Sequence, residues 1–199
     1  MAPQNQFPDG IGVKIGDAVH NLRCALDHLT WEVVGRDDGA QHDKLYFPTG
    51  KSGDDFVGAC KGIKNISQKV RTMFMNLEAF IGGTGEALYV LSKLDNSDKH
   101  RIITPVIKIT KVKKFIVRNR KGEVLKRIDW EFDFVQGESF TIDSGSEGSY
   151  IDFDNDSEVS TDILFGDVEL ISYEPVLPTL AQISHAVLNT IKIVERSCG

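Results

Sequence analysis

Between Ile15 and Gly35, apolar residues recur every three or four positions, at Ile15, Val19, Leu22, Ala25, Leu26, Leu29 and Val33. That spacing predicts a helix with one buried stripe. At about 100° per residue its other side collects Asp17, His20, Asn21, Cys24, Asp27 and His28 within roughly 120°, with Arg23 at the margin. These are short side chains that coordinate, hydrogen-bond and transfer protons, whereas a merely solvated face would carry Lys, Glu and Gln. Gly10–Gly12 precede this helix, and Gly35 with Asp37–Gly39 supply the freedom to end it.

Ala40–Gly53 reads as a loop with Phe47-Pro48 as a packing anchor. Ser52 can cap a short helix over Asp54–Gly62. Asn65 can cap a second over Asn65–Ile81, where Ile66, Val70, Phe74, Leu77 and Ile81 keep helical spacing. Thr84 can cap a third, carrying Leu88, Leu91 and Leu94 into the run LDNSDKHR.

Pro105 changes the regime. VIKITKVKKFIVR and EVLKRIDWEFDFV read as strands joined by a hairpin turn at Asn119–Gly122, and in the second Ile128, Trp130, Phe132 and Phe134 alternate with acids as on a sheet with one buried face. SFTID, SYIDFD and STDILFGDVELISY add further strands. Pro175 and Pro178 introduce a last helix with apolar positions Leu180, Ile183, Val187, Ile191 and Val194, which packs on the sheet or on the helical lobe. The expected fold is α+β: an N-terminal helical lobe, a mostly antiparallel sheet of four to six strands and a C-terminal helix. Residues 1–104 form the helical lobe and residues 105–199 the sheet plus last helix, packed as one compact unit.

Composition narrows the class. With 41% hydrophobic and 26% charged residues the chain has the make-up of a soluble globular protein. No apolar run nears the roughly 20 residues that span a bilayer, so a membrane is not an expected partner. The opening residues MAPQNQFPDG show no secretory signal, and Cys24, Cys60 and Cys198 form no CxxC pair, so reduced thiols and a cytoplasmic location are expected. The net charge of −6 hides an asymmetry: nine Lys or Arg against one acid between Lys108 and Arg127, then thirteen acids and no base from Asp129 to Glu169. Either neighbouring strands neutralise each other, or the basic stretch is a patch for a polyanion such as RNA.

Three constellations could carry chemistry. Arg23 and His28 pair a guanidinium that neutralises phosphate with an imidazole that moves a proton, the minimum for metal-independent RNA cleavage through the 2′-hydroxyl. About 140° separates them on an ideal helix, so a groove or a second copy of the helix must bring them together. Asp17, His20, Cys24, Asp27 and His28 hold metal-ligand spacings, with His100, Asp95 or Asp98 as a third donor, yet match no zinc signature. Lys99, His100 and Arg101 either face an anion or complement the helix dipole at their own helix end. Against all of these stands a buried polar network, in which Asp–His, Asn–backbone and Asp–Arg bonds lock helices together. Gly82–Glu86 lacks the Lys-Ser/Thr of a P-loop, and Asp152–Asp156 lacks the glycine and the bidentate Glu of a calcium loop.

GDAVHNLRCALDHL, Phe47-Pro48 and LSKLDNSDKHRIITPV resemble the recurrent blocks of a family of bacterial and phage hypothetical proteins, approximately GDxLHNLRSALDHL, Phe-Pro and L..L.N.DKHR. The likeness covers roughly the first 106 residues, and Cys24 stands where serine is usual. Arg23-x4-His28 also resembles, more distantly, the Arg-x4–6-His motif of HEPN domains, helical dimers that cut RNA in toxins and defence systems. That resemblance implies RNA and a second copy of the chain as partners, no cofactor, and a catalytic set of Arg23 at the phosphate, His28 as proton carrier, and His20, Asp27 and His100 in support. The alternatives are a non-enzymatic structural or interaction module built on the same polar residues, and a metal-dependent hydrolase using His20, His28, His100 and Asp17.

Overall fold

A computed structural model describes residues 10–39, 44–100, 103–133, 147–153 and 155–198, with the backbone alone for Asp38, His100, Ile107, Phe132, Asp133 and Cys198. The chain divides into two units, residues 1–105 with 165–199, and residues 106–164. The architecture is α+β, with an N-terminal helix, an antiparallel sheet and a C-terminal helix.

The first unit is helical. Helix α1 (Ile11–Asp38) starts after Gly10 and closes on Gly39, whose left-handed φ of 72° lets its N–H bond back to Gly35 O. Helix α2 (Gly53–Gly62) opens with a capping box, as its sequence predicts: Ser52 accepts from the Asp55 N–H while the Asp55 carboxylate accepts from Ser52. Arg71 of α3 (Gln68–Met75) donates to the Cys60 and Ile63 carbonyls at 2.7 and 3.1 Å, satisfying acceptors left over at the end of α2. Helix α3 is shorter than its apolar spacing predicts. Asn65 takes a left-handed φ of 59° and does not cap; Ser67 does, accepting from the Val70 N–H at 3.3 Å. The helix stops at Met75, yet Leu77 and Ala79 in the following turns are still buried, so the apolar period runs on past the helix that began it.

Helix α4 (Glu86–His100) begins two residues beyond the expected Thr84 cap, and the Thr84 N–H donates to the Glu78 carboxylate at 3.2 Å. It buries Leu88, Leu91 and Leu94. Helix α5 (Val176–Cys198) buries Ile183, Val187 and Val194 and packs on α1 and α4, which also pack on each other. The last helix is therefore part of the helical unit, and the division differs from the expected one at residue 104. Its apolar stripe finds its complement on two other helices.

The second unit is the sheet. Strand β1 (Pro105–Arg118) pairs antiparallel with β2 (Val124–Asp133) and β3 (Tyr150–Asp152), and β4 (Glu158–Phe165) also pairs with β1. The predicted hairpin turn is present: the Gly122 N–H reaches Asn119 O at 2.9 Å, and Asn119 Oδ1 accepts from Lys121 and Glu123. A bulge separates the pairs Lys113–Glu131 and Phe115–Ile128, and Lys114 there takes a left-handed φ of 52°. The extra residue on β2 shifts the alternation by one. Ile128 joins the buried cluster of Val112, Phe115 and Val117, whereas Trp130 is 59% exposed, so the expected single buried face does not run through both. Strand β4 ends at Phe165, short of the expected run to Tyr173, because the chain turns back and Phe165 exchanges backbone bonds with Tyr173 and Glu174. SFTID lies outside the described residues.

The charge asymmetry has a partner-strand explanation. Lys111 pairs with Glu131 on β2, Arg118 with Asp152 on β3 at 2.6 Å, and Lys113 with Glu158 on β4 at 3.5 Å. Basic β1 thus lies among acids contributed by three other strands, the cross-strand neutralisation that the sequence left open against a basic patch.

Candidate functional site

Helix α1 places its chemistry as its periodicity predicts, with one exception. Ile15, Val19, Leu26 and Val33 are buried, while Asp17, His20, Asn21 and His28 are exposed and Cys24 and Asp27 half-buried. The exception is Arg23, which is only 7% exposed. It is not the surface ion-pair partner that its spacing to Asp27 suggests. Its Nη2 lies 2.9 Å from Asp27 Oδ1 and donates to the Phe47 carbonyl at 3.0 Å. Asp27 Oδ1 in turn accepts from the Phe47 N–H at 2.8 Å. One ion pair, one turn apart on α1, therefore holds both backbone groups of the residue before Pro48. The Phe47 ring is buried, edge-on to Phe74 of α3 at 6.3 Å between centroids. Pairing both charges and both peptide groups is what makes their burial tolerable, although Arg23 Nη1 is buried without a hydrogen-bond partner.

A second polar contact lies one turn earlier. Asp95 of α4 is 3% exposed and accepts from His20 Nδ1 at 2.9 Å and from Lys99 Nζ at 2.5 Å. Burial alone would raise the Asp95 carboxyl, but the hydrogen bonds from Lys99 and His20, together with their charges, hold it below the ordinary carboxylate value. An ionised carboxylate only accepts, so His20 carries a proton on Nδ1 and turns Nε2 away from Asp95. Cys24 Sγ lies 3.4 Å from that Nε2. The Asp98 carboxylate of α4 lies over Gly16, where a Cβ would stand 2.5 Å from its Oδ2.

The three blocks singled out in the sequence thus meet in space. The α1 block grips Phe47-Pro48 through Arg23 and Asp27, and meets the LDNSDKHR block through Gly16 and His20. Lys99 is committed to Asp95 on its own helix. The His100 side chain and Arg101 lie outside the described residues, as does any support that His100 gives. His28 does not join Arg23: it lines a cavity of ≈ 370 Å³ with Cys24, Trp31, Lys44 and Tyr46, and a second of ≈ 420 Å³ against Ile191 and Val194 of α5, and Arg23 lines neither. Among the described residues no three His, Cys, Asp or Glu side chains gather as a metal site would require. Asp17 and His20 are exposed on α1, and His28 two turns beyond His20 faces the cavities instead. Asp152, the first acid of the discounted calcium-like run, is the Arg118 partner on β3.

Sequence reasoning set aside one residue that the structure brings forward, Cys24, and weighed Asp95 as a metal donor and as a local ion-pair partner of the cations that follow it, the pairing it makes with Lys99. The signal for Cys24 was present in its four-residue spacing from His20. The sequence offered Asp95 beside His20 as a third metal donor; the structure joins the two directly by a hydrogen bond across 75 positions. Comparisons with protein-family models, with curated proteins and with solved structures gave no match.

Proposed function

We propose that this chain is a structural and interaction module, in which the polar face of α1 is a lock and the surface held in place by the lock does the binding. The observation that carries this reading is the burial of Arg23, with its guanidinium and the Asp27 carboxylate both committed to the backbone of Phe47. The lock fixes residues 44–48 against α1, and that arrangement forms the ≈ 370 Å³ cavity walled by Trp31 and Tyr46, which are 45% and 65% exposed. Exposed aromatics beside a lysine, Lys44, suit a ligand or peptide with a flat apolar group and a negative charge. Cleavage of RNA by Arg23 and His28 asks more of the same residues. Arg23 would have to leave the Phe47 carbonyl and its ion pair before touching a phosphodiester, stranding a half-buried carboxylate and a buried carbonyl.

Two variants decide between the readings. Arg23→Ala should lower the melting temperature by roughly 10 °C, from the 3–5 kcal/mol that breaking a buried pair costs in a chain of this size. His28→Ala should leave melting unchanged, and neither variant should alter the rate at which the purified protein degrades a labelled RNA. Loss of an RNA-cleaving activity in His28→Ala at unchanged melting temperature would overturn the proposal.

A further inference from the structure

We infer that Cys24, His20 and Asp95 form a nucleophilic thiol site that accepts the acyl group of a thioester or activated ester bound in the adjoining cavity. The inference rests on the cavity assigned above as the binding surface. Three observations support it. The thiol, imidazole and carboxylate are in series, at 3.4 Å from Sγ to Nε2 and 2.9 Å from Nδ1 to the buried Asp95 Oδ1. This is the order of a nucleophile, its base and the group that orients the base, in which the carboxylate fixes the tautomer and leaves Nε2 free to take the thiol proton. Cys24 also lines the cavity and is half-buried, and His20 has a side chain 53% exposed, so a substrate and water can both reach the pair.

Acyl transfer fits better than the other chemistry of a thiol. Disulfide exchange needs a second thiol within reach, and the other described cysteine with a placed side chain, Cys60, is fully buried on α2. An imidazole beside the thiol serves acyl transfer twice. As Sγ forms a bond to the carbonyl carbon, Nε2 takes the thiol proton. When the bond from that carbon to the leaving sulfur or oxygen breaks, Nε2 returns the proton to it, leaving acyl-Cys24 and a free thiol or alcohol. Water then attacks the new thioester, Nε2 takes its proton and passes it to Sγ, and the carboxylic acid departs with Cys24 restored. Asp95 is a positioning residue. Among the described residues the charged or titratable groups beside the pair include Lys99, which shares Asp95, and Asp27, His28 and Lys44, which line the cavity with Cys24.

The test uses the full chain carrying Cys198→Ser, with p-nitrophenyl acetate as the acyl donor, p-nitrophenolate release followed by absorbance, and the acetyl group located by mass spectrometry. The expected result is one acetyl per chain on Cys24, none on Cys60, and a rate constant at neutral pH about tenfold or more above that of the same thiol in the denatured chain. Cys24→Ala should abolish the labelling. His20→Gln should slow it about tenfold or more and flatten its pH profile between pH 5 and 8, and Asp95→Asn should change that profile in the same sense. The inference is overturned if Cys24 reacts no faster than in the denatured chain, if His20→Gln leaves the rate unchanged, or if the acetyl group sits on another residue. Melting temperatures of the same variants separate this from the lock. Failure of Arg23→Ala to melt early counts against the lock alone, and an inert Cys24 in a chain whose lock behaves as expected counts against the thiol site alone.

Discussion

The two ends of the α1 polar face use the same chemistry to opposite effect. At the later end the buried Arg23 and the half-buried Asp27 close over a peptide group, so charge serves to hold a loop. At the earlier end the carboxylate, Asp95, is the more deeply buried of the two, but the His20 that it orients stands in solvent with a cysteine against its other nitrogen. A carboxylate whose partners all face inward is a fastening; one that orients a half-exposed imidazole leaves that ring's second nitrogen available. The thiols repeat the contrast. Burial pushes Cys60 up to about 11, with Arg71 only partly opposing it, so it stays protonated and inert. Cys24 has a base beside it and a cavity in front of it.

The largest expected effect breaks the closed end. Asp27→Ala leaves the Arg23 guanidinium buried without its counter-charge and the Phe47 N–H without an acceptor. It should cost about 3–5 kcal/mol in denaturant titrations, whereas Cys24→Ala at the open end should cost under about 1 kcal/mol. Equal losses at the two ends would dissolve the comparison. Next comes the contact of α1 with α4. Gly16→Ala would put a methyl group 2.5 Å from the Asp98 carboxylate, the end of a half-exposed side chain that can turn aside, for under about 1 kcal/mol. The double variant with Asp98→Ala should recover part of that, and a purely additive pair would show that the close approach is not the cause.

The smallest and most selective effect is on acid stability. The Asp95 carboxyl is held below its ordinary value in the folded chain, so its contribution is complete above the unfolded value of about 3.9 and is lost as pH falls through the folded one. The stability difference between wild type and Asp95→Asn should therefore narrow as pH falls below about 4. A difference that stayed flat down to pH 2 would mean that Asp95 is not ionised against His20 and Lys99.

Much of this was legible along the chain because it is local. The α1 stripe, the Ser52 cap, the Asn119 hairpin turn and the change at Pro105 each follow from residues within a few positions of one another. Where reading failed, a distant partner had intervened. Arg23 reads as a surface cation because only Phe47, 24 residues on, buries it. Helix α3 reads as longer because buried turn residues continue its apolar period. Trp130 reads as buried because a bulge between paired strands cannot be seen in either strand alone.

The sequence by itself determined which residue types stand on one face of α1 and that the chain is α+β, since periodicity and turn chemistry act over single turns. Only the tertiary structure decided what that face does. Burial and pairing across 24 and 75 residues made one carboxylate a fastening and the other the support of an imidazole beside a thiol, because charge takes its meaning from what excludes or admits water around it.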